Sequence, residues 1–135
     1  MKYKIEQKLD KWSFKVEQEN LITWSSVLND PNPIHLDNKT VKKLGLGDKC
    51  INQGPANIAY VLNCISSNFK EYELIEVKNK LNGNVFSGDE IVVEGKISDI
   101  ENHENFLIIS LMLFLNTQNQ SSVLSTEAKI RIPNH

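Results

Sequence analysis

The chain has little of what marks a secreted, a membrane or a nucleic-acid-binding protein. Its two cysteines, Cys50 and Cys64, form neither a disulfide framework nor a metal-ligand spacing, so free thiols in a cytoplasmic protein are the expectation. Met1-Lys2-Tyr3-Lys4-Ile5 continues into charged sequence with no apolar segment after it, so nothing near the start resembles a signal peptide. The longest apolar run, Phe106 to Leu115, is broken by Ser110 and is about half the length a spanning helix needs. No membrane association is expected. A formal charge of −2 gives no general drive toward nucleic acid, and none is expected as a partner. Lys39, Lys42 and Lys43 are too few for a phosphate-binding stripe; they read as solvated helix surface, or as a rim for an acidic ligand or carrier. The 16 asparagines are scattered rather than in tracts, and 40% hydrophobic content excludes a disordered chain. Residues 1–135 suit one domain with one core and no internal repeat.

Periodicity divides that domain. Residues 12–17 alternate apolar with polar and predict a strand. Leu21, Trp24 and Leu28 then recur at helical spacing over 19–28, with Glu19 and Asn20 in the first turn. Asp37 suits the cap of a short helix through Lys43, which Gly45-Leu46-Gly47-Asp48 closes. Gly54-Pro55 opens a longer helix over 54–68, proline fitting the first turn because its missing N–H has no partner there. Ala56, Ile58, Ala59, Val61, Leu62, Cys64 and Ile65 cover most of that helix, with Asn57, Asn63, Ser66 and Ser67 as polar relief, so it should be buried. Strands are predicted over 72–80, 90–97, 106–115 and 122–132. In the last, Leu124, Thr126, Ala128, Ile130 and Ile132 alternate with Ser125, Glu127, Lys129 and Arg131. Short links between strands favour an antiparallel sheet. The segment 106–115 is apolar on both faces, so its second face needs a cover, either another subunit or the short N-terminal segments. The expected architecture is α+β: one curved antiparallel sheet around a long central helix, assembled at least as a homodimer.

One cluster concentrates reactive groups. Asp30-Pro31-Asn32-Pro33-Ile34-His35-Leu36-Asp37 holds two carboxylates, an amide and an imidazole, with two of the chain's four prolines among them. Proline at 31 and 33 steers Asp30 and Asn32 away from helical backbone, so the preceding helix should end in a rigid, non-helical turn. Polar groups on such a segment are a site candidate; the bland alternative is a surface connection. Other polar residues carry less. His103 lies among turn residues and reads as a surface histidine, His135 is terminal, Asp89 suits a turn after Gly88, and Asp37 suits a cap. No spacing resembles a metal signature, and neither metal nor cofactor is expected.

The octapeptide and the helix before it closely resemble the hydratase motif of the MaoC-like, R-specific enoyl-CoA hydratases, which have a hot-dog fold. Gln53-Gly54-Pro55-Ala56 looks like the start of that family's central helix, and Phe86-Ser87-Gly88-Asp89 like its loop before a long strand. The strand from Thr126 to Pro133 also fits, so the resemblance runs over roughly residues 12–133. It implies Asp30 and His35 as the catalytic pair, Asn32 as the site amide in contact with substrate, and the Gly54 N–H as the donor that holds the thioester carbonyl. The chain departs from the family at Asn29, where glycine is frequent, and at Val41, where alanine is frequent. The implied reaction is reversible hydration of a trans-2-enoyl thioester, on CoA or acyl-carrier protein, to an (R)-3-hydroxyacyl thioester. It needs a base for water, a proton for the α-carbon and stabilisation of an enolate-like oxygen. An acyl-thioesterase, or a non-catalytic acyl-thioester-binding scaffold subunit, are the alternatives.

Overall fold

The computed structural model describes residues 2–134; His135 lies outside the described residues. Strands β1 (Trp12–Lys15), β2 (Glu73–Leu81), β3 (Glu90–Asn102), β4 (Phe106–Thr117) and β5 (Leu124–Pro133) form one sheet in the order β1-β3-β4-β5-β2. Every pairing is antiparallel. Among the described residues three helices accompany the sheet, α1 (Gln18–Leu28), α2 (Asn38–Lys43) and α3 (Gly54–Asn68), with a 3-10 turn at Pro33–His35. The sheet wraps α3 in the hot-dog arrangement. Among the described residues no helix is long and apolar enough to cross a membrane.

The core is the inner face of the sheet against one side of α3. Along β5, Leu124, Thr126, Ala128, Ile130 and Ile132 are buried while Glu127, Lys129 and Arg131 face out, as the alternation predicts. On β4 the inner face is Leu107, Ile109, Leu111, Leu113 and Leu115, all buried. The outer face, with Phe106, Ile108, Met112 and Phe114, is half-buried. The N-terminal segment does not cover it. It runs instead beside β3, with Glu6 N–H on Ile97 O at 2.8 Å and Leu9 N–H on Gly95 O at 2.9 Å.

Two helices differ from the pattern read in the sequence. In α3 the buried positions are Ala56, Asn57, Tyr60, Val61, Cys64 and Ile65, whereas Ile58, Ala59 and Leu62 are only half-buried. The sheet wraps one side of the helix, so burial within the chain is not all-round. Asn57 is a core residue rather than surface relief. In α1 the buried residues are Leu21 and Ser25, and Leu28 is exposed. That helix ends at Leu28, with Asn29 as its left-handed C-cap (φ 51°).

Candidate active site

Asp30 and His35 are brought together by three local devices. Asn29 ends α1 in the left-handed region, where asparagine is better tolerated than most residues. The Asp30 N–H then donates to Ser25 O at 2.9 Å, and Asp30 Oδ1 accepts from Asn32 N–H at 3.2 Å. Asn32 Oδ1 in turn accepts from Ile34 N–H at 3.1 Å, capping the 3-10 turn that carries His35. The result sets His35 Nε2 3.1 Å from Asp30 Oδ2. The histidine side chain is 8% exposed and the aspartate 39%, so the pair sits at the surface end of a buried imidazole. Gln18 Nε2 donates to His35 O at 3.0 Å and adds a tether from α1.

The second ring nitrogen fixes the ring's chemistry. His35 Nδ1 lies 2.6 Å from Ile51 O, an atom that can only accept, so Nδ1 carries a hydrogen and Nε2 is the nitrogen that faces Asp30. The Ile51 N–H donates back to Ile34 O at 2.9 Å, so strand-like residue 51 is stitched to the 3-10 turn on both of its backbone groups. The Cys50 N–H and thiol both donate to Asn38 Oδ1, at 3.0 and 3.2 Å, which adds the start of α2 to the same seam. Burial pushes the Cys50 thiol up from its ordinary value.

Gly54 is the first residue of the 15-residue α3, where an N–H has no intrahelical acceptor and the helix dipole favours negative charge. Pro55 has no N–H, and the Ala56 and Asn57 N–H groups both donate to Gln53 O, at 3.1 and 3.2 Å. Among the described residues the Gly54 amide therefore has no acceptor and is the unspent donor of the first turn. A Cβ built at Gly54 would meet Leu81 Cδ1 at 3.6 Å, an ordinary contact, so the fold itself does not demand glycine there.

The other residues singled out from the sequence divide clearly. Asn32 is exposed in the single chain, and its side-chain carbonyl oxygen accepts from Ile34 N–H. Asp37 caps α2, accepting from Lys39 N–H at 3.1 Å and from Thr40 Oγ1 at 3.0 Å. Asp89 locks the Phe86–Asp89 turn, accepting from Phe86 N–H and from Gln118 Nε2, each at 2.8 Å. His103 is an exposed residue paired with Glu101 at 3.1 Å and stacked on Phe106. Among the described residues no three His, Cys, Asp or Glu side chains gather as a metal site.

The sequence reading missed a buried amide layer at the start of α3. Asn52 Nδ2 donates to Asn57 Oδ1 at 2.8 Å and to Tyr60 Oη at 3.3 Å. Burial raises the Tyr60 phenol above its usual range, opposed by the bond from Asn52. Gln53 Nε2 donates to Leu21 O at 2.8 Å and to Ser25 Oγ at 3.1 Å. Nothing in residue type separates such amides from surface ones; the one available signal was their crowding at 52, 53 and 57, around Gly54-Pro55.

No protein-family model matches the chain, and no curated protein matches it in sequence. Solved structures do resemble it. The (R)-hydratase from A. caviae involved in PHA biosynthesis matches with a TM-score of 0.84 at 18% identity, over 98% of this chain and 99% of that one. The MaoC-like dehydratase from Rhodospirillum rubrum gives a TM-score of 0.83 at 17% identity, over 98% and 94%. The C-terminally truncated HadBC (3R-hydroxyacyl-ACP dehydratase) complex from Mycobacterium tuberculosis gives 0.73 at 11%, over 95% and 96%. The chain thus has the hot-dog fold of the MaoC-like dehydratases and R-hydratases.

Proposed function

We propose that the protein reversibly hydrates trans-2-enoyl thioesters to (R)-3-hydroxyacyl thioesters, with the acyl group carried on CoA or an acyl-carrier protein. The observation that carries this reading is the 3.1 Å Asp30–His35 contact on a segment anchored to Ile51, three residues before the unspent Gly54 amide. A water held by Asp30 Oδ2 and His35 Nε2 loses a proton to the pair as its oxygen bonds to C3 of the enoyl group. The C2–C3 π electrons move toward the thioester oxygen, which the Gly54 N–H and the α3 dipole stabilise. The proton held by the pair then passes to C2, so one water is added and the site is restored. The same steps reversed remove water from a 3-hydroxyacyl thioester. The fold shared with R-hydratases and with a 3R-hydroxyacyl-ACP dehydratase supports the reading.

We also propose that two copies assemble through β2. It is an edge strand of the sheet, and it exposes Leu74, Ile75, Val77 and Leu81. An exposed apolar edge is a template for a further strand. Pairing with an antiparallel copy centred on Val77 sets Glu76 opposite the second copy's Lys78, and the reverse, so the charges match.

The deciding experiment follows enoyl absorbance with crotonyl-CoA and with crotonyl-acyl-carrier protein, alongside a thiol-reactive dye. Loss of enoyl absorbance without thiol release supports the hydratase. Thiol release supports a thioesterase, and saturable binding without turnover supports a binding subunit; either of these overturns the proposal.

A further inference from the structure

Gln53 is 1% exposed, and it stands at the N-cap of α3 without capping it. Its amide instead crosses to α1, where Nε2 meets Leu21 O and Ser25 Oγ. Leu21 O can only accept, so the orientation of the amide is fixed: Nε2 points to α1 and Oε1 to the other side. There Oε1 is buried with no hydrogen-bond partner among the described residues. A buried acceptor left unpaired is unfavourable, so a packing role alone would be better served by an apolar side chain of the same size.

The contacts make a short path. The residue whose hydroxyl receives the Gln53 amide, Ser25, also offers its carbonyl to the Asp30 N–H at 2.9 Å. One step along the chain from Gln53 is Gly54, and two steps back is Ile51, whose carbonyl holds His35 at 2.6 Å. The segment 51–54 therefore reaches all three site groups: His35 by a main-chain carbonyl, the oxyanion donor by its own backbone, and Asp30 by two routes, one at the carboxylate through His35 Nε2 and one at the backbone through the Gln53 side chain and Ser25. Removing that side chain breaks the α1 route, so the backbone at Asp30 loses its tie to the start of α3 while the carboxylate keeps its contact with His35.

We propose that Gln53 is a positioning residue that fixes Asp30 relative to the Gly54 amide through Ser25. The inference rests on the enoyl-thioester reading for its kinetic consequence, but not for the mechanical link. Misplacing reacting groups by about 1 Å costs on the order of 100-fold in rate, which sets the scale of the effect.

The test combines kinetics with amide NMR on the full chain. Gln53→Glu keeps the shape but turns the donor into an acceptor facing Leu21 O, and Ser25→Ala removes only the relay hydroxyl, in a helix where alanine is well tolerated. Gln53→Glu should lower kcat by about 10–100-fold with KM changed less than about threefold. Ser25→Ala should lower kcat in the same direction by a smaller factor. In an Asp30→Asn background neither substitution should lower kcat further, because the group being positioned has already lost its function. A merely structural role gives losses that multiply in the double variants, and that result overturns the proposal. If the parent turns over no enoyl thioester, the functional reading fails, and the resonances decide the link alone. Ser25→Ala must then move both the Asp30 and the Gly54 amide signals while Lys129, on a distant strand, stays in place. A stationary Gly54 signal overturns it.

Discussion

The Nδ1 atom of His35 lies 2.6 Å from the carbonyl oxygen of Ile51, so the tautomer of a side chain is set by a main-chain atom 16 residues away. Because Nδ1–H is committed, Nε2 and Asp30 Oδ2 at 3.1 Å form a hydrogen bond when one proton lies between them. A water inserted into the pair finds an acceptor on each side. The backbone origin of this control means that no substitution at residue 51 removes it, and that loss of function is sought in the pair itself.

Asp30→Asn and His35→Ala should each reduce kcat for crotonyl thioesters by on the order of 10²–10⁴-fold while circular dichroism stays parental. Asp30 is 39% exposed at its side chain, so neutralising it leaves no charge stranded in the core. Parental rates in both variants would remove these residues from the site.

Gly54→Ala should fold normally, because the added methyl meets only the flexible end of Leu81 at 3.6 Å and alanine is the better helix former. The same methyl crowds the unspent amide, so kcat should fall by on the order of 10–10³-fold. Thermal melts paired with steady-state rates separate the two effects; a variant both stable and fully active contradicts the oxyanion role.

Gly95→Ala should act in the opposite way, on stability rather than on turnover. A Cβ there would stand 2.6 Å from Met112 O and 3.0 Å from Leu113 Cγ, so β3 and β4 must separate to admit it. The expected cost is about 1–3 kcal/mol in urea unfolding, with the rate per folded molecule unchanged.

Burial pushes the Cys64 thiol up to about 11, with a main-chain hydrogen bond opposing the shift. Between about pH 9 and pH 11 the unfolded chain loses a proton that the folded chain keeps, so this thiol's contribution to stability is full below about pH 9 and declines as pH rises. Melting temperatures measured across that range should fall more steeply in the parent than in Cys64→Ala. Equal slopes would show that other groups control the alkaline limb.

Val77→Glu places like charges face to face at the centre of a self-paired β2 edge. Sedimentation should give about twice the 15.4 kDa chain mass for the parent and the single-chain mass for the variant. A parent at 15.4 kDa in dilute solution sinks the β2 assembly.

Much of this was legible in residue order. Pro31 and Pro33 marked the end of α1 and the segment that carries Asp30 and His35, although it contains a 3-10 turn over Pro33–His35 where a non-helical turn was expected, and the period-two pattern of 124–132 placed Leu124, Thr126, Ala128, Ile130 and Ile132 on the buried face. What was not legible depended on partners remote in sequence. Ile51 acts through its carbonyl, which every residue possesses, and Gln53 acts across 28 residues on Ser25. Asn57 read as a surface break in an apolar helix because its partner, Asn52, lies before the helix begins. Leu28 held the right helical spacing, but it is the last residue of α1 and exposed, while the polar Ser25 is buried beside Gln53.

Pro55 makes the mouth of α3 monodentate. With its nitrogen alkylated and the next two amides turned onto Gln53 O, the helix offers a single N–H to whatever approaches. Anion-binding helix termini instead present several adjacent amides, which suits carboxylates and phosphates with two or three oxygens to satisfy. One donor matches one oxygen, so under the proposed reading the coordination number of this helix end suits a thioester carbonyl better than the carboxylate its hydrolysis would leave behind.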